Sequence, residues 1–177
     1  MSLKDSGYIK IAELFKVPIF VHWSLPVAGV LLSAFTGFKV ATVFYYCFSY
    51  AMLVFIHEAG HLLAAKAFEL KTFSIQITAA GGTCRSEMPK TIAGALFFYA
   101  GGIIAQLALL AVTVTSILTL RIPNSEFIDC LIITFIYINI VLIVVNLIPH
   151  KVRGGLKTDG YYLWMILFRS LMVLIRK

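Results

Sequence analysis

The sequence predicts an all-α polytopic membrane protein, a bundle of about four to five transmembrane helices with a short membrane-associated β-hairpin. Hydrophobic residues make up 60% of the 177-residue chain and charged residues only 13%, whereas soluble domains average about 45–50% and about 25%. A soluble domain of this size cannot bury so much apolar surface, because small domains keep much of their surface exposed. Long apolar runs, close to the ~20 residues that a spanning helix needs, recur along the chain.

Five apolar segments follow one another, and each is predicted to be helical. The first four have the length of spanning helices, at about residues 17–38, 40–70, 91–120 and 128–148. The fifth, at about residues 161–175, is short for a span and carries Arg169, so we expect it to re-enter the bundle or lie at the interface. The sequence contains no internal repeat, and residues 1–177 are interpreted as a single domain.

The interval at about residues 71–88 has a different pattern. Its β-branched residues partly alternate in TFSIQITAAGGTC, which includes the pair Gly81 and Gly82. Such alternation bounded by glycines is typical of a short strand or hairpin. Pro89 follows it and marks the start of the third helix, because proline is favoured in a first helical turn.

The formal net charge of +7 is not interpreted as a nucleic-acid surface. The basic residues are scattered between apolar runs instead of forming one stripe, which is typical of anchoring beside a membrane. The three cysteines form no CxxC pair, and their odd number argues against a disulfide framework. We therefore expect free thiols, and we expect no nucleic-acid partner.

The distribution of positive charge predicts the orientation of the helices. Basic residues concentrate in the N-terminal tail and in the connections after the second and fourth helices: Lys4, Lys10, Lys16, Lys66, Lys71, Arg85, Lys90, Lys151, Arg153 and Lys157. The opposite side carries only Lys39 and Arg121, with Glu126 and Asp129 nearby. We therefore expect a cytoplasmic N-terminus, with the end of the second helix and the start of the last on that side.

The most informative motif is HEAGH, residues 57–61, inside the second apolar segment. His57 and His61 are four residues apart, so they lie one turn apart on one helix face and can share a metal ion. Glu58 is poorly placed as a third ligand but well placed as a general base, the arrangement of HExxH sites. Ionisable groups in a spanning segment cost roughly 2.5–3.5 kcal/mol each and are usually functional, which favours a metal site over buried structural histidines.

A catalytic zinc needs a third protein ligand and an open position. Asp159, in the segment TDG at the start of the last helix, lies on the same predicted side as the end of the second helix and is our candidate. Glu87 stays open as an alternative, whereas Glu126 falls on the opposite predicted side. The remaining histidines, His22 and His150, are also candidates for the third ligand. His22 is interpreted instead as an interfacial hydrogen-bonding residue, and His150 as a surface residue of the link or a gate to the site.

HEAGH in a transmembrane helix, followed by NLIP and TDG, resembles the site-2 protease family of intramembrane zinc metalloproteases. The resemblance implies one zinc ion held by His57, His61 and Asp159, with Glu58 as general base. It further implies helix unwinding and substrate alignment at two residues of NLIP, Asn146 and Pro149. The proline predicts a break independently, because it cannot continue the helical hydrogen-bond ladder.

Two other segments resemble parts of that family. The interval with Gly81 and Gly82 is similar to its membrane-associated β-hairpin, which is thought to pair with the substrate as an added strand. AGGIIAQLA, residues 100–108, is similar to its AGGPxANxx helix, with Ile103 in place of proline and Gln106 in place of asparagine. Gln106 is a candidate donor to an oxyanion near the metal, or else joins two helices.

The resemblance implies a small bacterial-like enzyme, without a PDZ or CBS domain, embedded in the cell membrane with its active site towards the cytoplasm. It would cleave a peptide bond within or near a transmembrane segment of a membrane protein or signal-peptide-like substrate, using zinc-activated water. The link HKVRGGLKT between Pro149 and Asp159 is longer than is usual in the family. The alternative is a non-proteolytic member that binds metal or a membrane partner. A metal transporter is disfavoured, because the chain has no paired broken helices in two related halves.

Overall fold

The computed structural model describes residues 6–151 and 157–175, and these form a mostly helical fold with one small sheet. In chain order the elements are β1 (Tyr8–Leu14), β2 (Val17–His22), α1 (Leu25–Ser33), α2 (Val40–Ala67), β3 (Thr72–Thr78), β4 (Gly81–Ser86), α3 (Ile92–Thr119), α4 (Glu126–Ile132), a π-helical segment (Ile133–Ile138), α5 (Asn139–Leu147) and α6 (Asp159–Ile175). Among the described residues three helices are long and apolar enough to cross a membrane: α2, α3 and the continuous helix Glu126–Leu147.

The prediction of one helix over residues 17–38 is wrong. Its first part is strand β2, and only α1 with the short 3₁₀ turn Ala34–Thr36 is helical. Strand β2 has the β-branched period-2 pattern Val17, Ile19, Val21, and it forms a parallel pair with β3. That pairing partner lies more than fifty residues away, so the local apolar run does not reveal it. Among the described residues three helices have the length of a span and Leu25–Thr36 is a shorter apolar helix, so four to five spans are not shown.

The sheet has four strands in the order β1-β2-β3-β4, so the fold is not purely α-helical. The pairs β1–β2 and β3–β4 are antiparallel, and β3–β4 lies within the hairpin interval predicted at 71–88. One sheet face packs against α2, where Ile75 and Ile77 join Val54 and Leu62 in a buried apolar cluster. The sheet is thereby held against the half of α2 that carries HEAGH.

The fourth predicted helix is observed as α4, the π-helical segment and α5 in one continuous run. The Ser125 hydroxyl accepts a hydrogen bond from the Ile128 amide at 3.2 Å and caps its start. The run ends at Leu147, since Ile148 is extended (φ −70°, ψ 123°) as the residue before Pro149. A residue before proline is disfavoured in the helical region by steric contact with the proline ring.

The long link after Pro149 is closed by its own two ends. Lys151 and Lys157 form an antiparallel bridge, and the Thr158 hydroxyl donates to the Ile148 carbonyl at 2.8 Å. The Thr158 amide also donates to the His150 carbonyl at 3.2 Å. The extra length of the link therefore does not displace α6, which begins beside the end of α5. Lys4, Arg153 and the link's glycines lie outside the described residues.

The two ends of α2 lie in different surroundings. At its start, Lys39 forms an ion pair with Glu126, the first residue of the continuous helix Glu126–Leu147. At the other end, the parallel pairing of β2 with β3 joins the N-terminal segment to the connection that follows α2. The segments predicted to share a side of the membrane are thus neighbours. The assignment of that side to the cytoplasm stays a prediction.

Candidate metal centre

Three ligand atoms from two distant parts of the chain converge at the second half of α2. The Nε2 atoms of His57 and His61 are 3.1 Å apart, and they lie 3.2 and 3.3 Å from Oδ2 of Asp159. Both histidines are buried, at 8% and 4% exposure. Within residues 6–151 and 157–175, this is the one group of three or more His, Cys, Asp or Glu residues able to share a metal ion.

The other ring nitrogens decide which atoms are available to a metal. The His61 Nδ1 lies 2.7 Å from the Phe98 carbonyl oxygen, which can only accept, so Nδ1 carries the proton and donates it. The His57 Nδ1 lies 2.9 Å from Oε1 of Gln106 and donates to it in the same way. In the neutral rings both Nε2 atoms therefore present lone pairs to each other and to Asp159.

A set of three acceptors facing one another requires a positive charge among them. Burial of the Asp159 carboxyl disfavours its charged form, but when the imidazoles are protonated, attraction to His61 and hydrogen bonds from both rings outweigh burial and hold the Asp159 pKa well below its usual range. A second proton on one imidazole lets its Nε2 donate to only one of the other two acceptors at a time. A divalent cation satisfies all three, and two imidazoles with a carboxylate are a ligand set of zinc enzymes. His57, His61 and Asp159 could therefore hold a metal.

Glu58 lies beside the two histidines under strand β4. Its side chain is 3% exposed, and a Cβ atom at Gly82 would come within 2.6 Å of its Cγ and 2.8 Å of its Cδ. Only glycine at position 82 lets β4 lie against this carboxyl. The thiol of Cys84, two residues further along β4, is also affected by Glu58. Burial raises the pKa of Cys84 to about 12, and the negative charge of Glu58 adds to this rise.

Helix α3 forms the opposite wall of the site, and a glycine makes room for the histidines. A Cβ atom at Gly102 would lie 2.5 Å from Cε1 of His57 and 2.6 Å from Nε2 of His61. Sequence reasoning used the surrounding AGGIIAQLA segment but did not assign Gly102 or the Phe98 carbonyl a role. The glycine pair in that segment was the available signal for a close approach.

Asp159 reaches the histidines because α6 begins against the end of α5. A Cβ atom at Gly160 would lie 2.7 Å from the Asn146 carbonyl oxygen, so the glycine of TDG permits this contact. The rings of Tyr99 on α3 and Tyr162 on α6 stack at 4.2 Å with an interplanar angle of 9°. These contacts hold the first turn of α6 between α5 and α3.

The other residues singled out from the sequence lie around this centre or away from it. Asn146 is half-buried in the last turn of α5, Pro149 is exposed, and Gly81 has a φ of +125° at the end of the β3–β4 turn. Gln106 contacts His57 through its amide oxygen, so in the structure it accepts a hydrogen bond near the site. Its predicted donation to an oxyanion stays a prediction.

The alternative third ligands are elsewhere. Glu87 is exposed and accepts from the Lys71 amide at 3.4 Å, while Glu126 pairs with Lys39 at the start of α2. The His22 ring bonds the Ser24 hydroxyl at 2.8 Å, and His150 Nδ1 bonds the Ile148 carbonyl at 3.0 Å. In the described parts of the chain none of these side chains joins the three-ligand group.

Comparison with solved structures finds a similar fold in the Site-2 Protease from Methanocaldococcus jannaschii. The TM-score is 0.67, and the match covers 92% of this chain and 72% of that one at 18% sequence identity. At this identity the likeness shows the fold alone. No protein-family model and no curated protein matches the sequence.

Proposed function

We propose that this chain is an intramembrane zinc metalloprotease that cleaves a peptide bond within or near a transmembrane segment of a membrane-tethered substrate. One observation carries the proposal: three ligand atoms within 4.8 Å of one another meet beside a buried carboxylate on a helix long enough to cross a membrane. The fold shared with a site-2 protease supports the same reading. The substrate would be a membrane protein or a signal-peptide-like segment.

Each residue of the site has a distinct role in this proposal. His57, His61 and Asp159 hold one zinc ion, which when bound polarises a carbonyl and lowers the pKa of water. Glu58 accepts a proton from the attacking water at its carboxylate and delivers it to the nitrogen of the leaving amine. The ligand set also suits other divalent metals, and zinc is proposed on the donor chemistry.

The edge of the sheet supplies a means of presenting the substrate. Strand β4 is the last strand in the order β1-β2-β3-β4, so among the described residues its outer edge has no strand partner. A transmembrane substrate must unwind to expose a peptide bond, which leaves its backbone groups without partners in the bilayer. Pairing along β4, beside Gly82 and Glu58, would restore those hydrogen bonds. Asn146 and Pro149, at the end of α5, would align the unwound segment.

The proposal places the metal centre towards the cytoplasmic side of a bacterial cell membrane. The support is the concentration of basic residues in the segments next to the site, namely the sheet connections and the link before α6. The zinc ion would lie in the cytoplasm-facing half of the bundle. Tagging of the two ends of the chain with compartment-specific reporters tests this orientation.

The proposed activity is tested with the Glu58→Gln variant in lipid vesicles. The probe is a single-span peptide labelled at both ends, with a Gly-Pro pair in its apolar segment that favours unwinding, and the control peptide carries Leu-Leu there. We expect zinc-loaded wild type to cleave the first peptide, and Glu58→Gln to be at least ~100-fold slower with unchanged zinc content. Equal cleavage by the variant would contradict the mechanism. Zinc binding without cleavage of any spanning peptide would favour a non-proteolytic metal-binding protein.

A further inference from the structure

Buried hydrogen bonds connect the candidate metal centre to the start of α5 through the side chain and the backbone carbonyl of Gln106 on α3. We propose that Gln106, whose backbone is held by Asn139, is a positioning residue that fixes the orientation and the protonated nitrogen of the His57 ring. The inference rests on the metal site of the proposed function and is independent of whether the chain cleaves peptides. Asn139 has no counterpart in the motifs on which the proposed function depends.

The first step of this connection is the contact between Gln106 and His57. The Gln106 side chain is 1% exposed, and its Oε1 lies 2.9 Å from His57 Nδ1. An amide oxygen can only accept, so the imidazole donates from Nδ1 and its Nε2 keeps a lone pair directed at the ligand group. A hydrogen bond to the second ring nitrogen is the usual device that fixes the tautomer and orientation of a metal-binding histidine.

The second step anchors Gln106 itself. The Asn139 side chain is fully buried, and its Nδ2 donates to the Gln106 backbone carbonyl at 3.0 Å and to the Phe135 carbonyl at 3.2 Å. Two carbonyl partners leave no doubt about which end of the Asn139 amide is the NH₂ group. Its Oδ1 is buried and has no hydrogen-bond partner in the described part of the chain.

The backbone of the fourth apolar segment brings Asn139 to this point. The residues just before it, Ile133–Ile138, form a π-helical segment whose wider turns change the direction in which the following side chains leave the helix. Within it, the Thr134 hydroxyl bonds the Ser49 hydroxyl of α2 at 2.9 Å, with both side chains buried. This bond ties the π-helical segment to α2, eight residues before His57.

Simple helix-to-helix adhesion would not require this arrangement. Polar side chains commonly join membrane helices, and Ser49 with Thr134 does so without touching a ligand. Gln106 differs because its acceptor meets the ring nitrogen that must be protonated for His57 to bind metal through Nε2. A purely adhesive role predicts lower stability alone, whereas a positioning role predicts weaker metal binding, typically by about 10–100-fold for such partners.

The test measures zinc affinity by competition with a chelator, in detergent, for wild type and matched variants. We expect Gln106→Leu to bind zinc about 10–100-fold more weakly. Gln106→Glu keeps an oxygen acceptor and is expected to remain within a few-fold of wild type. Thr134→Val removes a buried interhelical hydrogen bond without touching His57, and is expected to keep wild-type affinity with a lower melting temperature.

Unchanged zinc affinity in Gln106→Leu, or an equal loss in Gln106→Leu and Thr134→Val, would overturn the inference. If Gln106→Leu does not fold, the ¹⁵N signals of His57 in Gln106→Glu decide the question. A stronger acceptor should move the Nδ1–H signal downfield, and an unmoved signal would overturn the proposal. A wild type that binds no zinc would instead contradict the proposed function, so the two failures are distinguishable.

Discussion

The charged groups at the two ends of α2 differ in their exposure to solvent. At the start, Lys39 and Glu126 form an ion pair whose side chains are 60% and 50% exposed, so both charges stay hydrated. Near the other end, His57 and His61 are almost fully buried beside Asp159. An exposed pair contributes little to stability because water and salt screen it. Buried ionisable groups are costly unless they are paired or bind a metal, so only the second end requires a functional explanation.

The buried polar groups of α2 show the same contrast at closer range. The hydroxyl groups of Ser49 and Thr134 form a hydrogen bond with each other, and either one can be the donor or the acceptor. The Nε2 atoms of His57 and His61 instead face each other and a carboxylate. With the ring protons on Nδ1, both Nε2 atoms and the carboxylate oxygen are hydrogen-bond acceptors. The first pair is complete in the folded chain. The second group is complete only with a cation.

The largest effect is expected for Gly102→Ala. The added methyl group would overlap both imidazoles, at 2.5 Å from His57 Cε1 and 2.6 Å from His61 Nε2, and should reduce the zinc content to background. Overpacking of this kind also lowers the free energy of unfolding by about 1–3 kcal/mol. Gly94→Ala is the matched control on the same helix, where the nearest atom is the Thr91 hydroxyl at 3.0 Å. Zinc content equal to wild type in Gly102→Ala would contradict the described geometry.

Gly82→Ala should separate catalysis from metal binding. Its methyl group would push against Cγ and Cδ of Glu58 and displace the proposed general base without touching a ligand. We expect cleavage of the Gly-Pro probe peptide to fall by roughly 100-fold, while one zinc per chain remains. Parallel loss of zinc and activity would show that position 82 acts through the ligands instead. Gly94→Ala again serves as the control for an added methyl group.

A smaller effect concerns the thiol of Cys84, whose pKa is raised to about 12 by burial and by Glu58. Between pH 8 and 10 an ordinary thiol of pKa about 8.5 becomes mostly ionised, whereas Cys84 should stay protonated. In a Cys47→Ser, Cys130→Ala background, without zinc, the alkylation rate should therefore still rise beyond pH 10. The same variant in guanidinium should level off near pH 9, and Glu58→Gln should shift the folded profile to lower pH. A folded profile that levels off near pH 9 would refute the assigned surroundings.

The smallest effect is expected at the exposed end of α2. Lys39→Ala removes the ion pair with Glu126, and we expect the melting temperature and the zinc content to be unchanged within error. The measurement is thermal unfolding in detergent at low and high salt. A large drop in the melting temperature would mean that the exposed ion pair contributes substantially to stability, which contradicts the contrast between the two ends of α2.

Local spacing predicted the centre of the site and failed where long-range pairing decides the structure. HEAGH places two imidazoles on one helix face because the helical period is local, and the balance of basic residues placed Asp159 on the same side. Residues 17–22 were predicted to be helical because an apolar run looks the same in a buried strand and a helix. Their pairing with β3 is what makes them a strand.

The residues that sequence reasoning missed act through space. Gly102 lies in a glycine pair that signals only a close approach, and Asn139 lies in no recognised motif; each matters because another helix brings a ring or a carbonyl against it. The link after Pro149 is also shaped by contacts that its length and glycines do not reveal. The hydrogen bonds of Thr158 close that link, and no feature of its composition predicts them.

The most direct test of the metal centre is elemental analysis of the purified chain beside His57→Ala and Asp159→Ala, under non-chelating conditions. The two variants remove ligands from distant segments that meet only in the folded structure. We expect about one zinc ion per wild-type chain, in keeping with a site of three protein ligands, and almost none in either variant. A wild type without metal, or an Asp159→Ala variant that keeps its zinc, would contradict the three-ligand site.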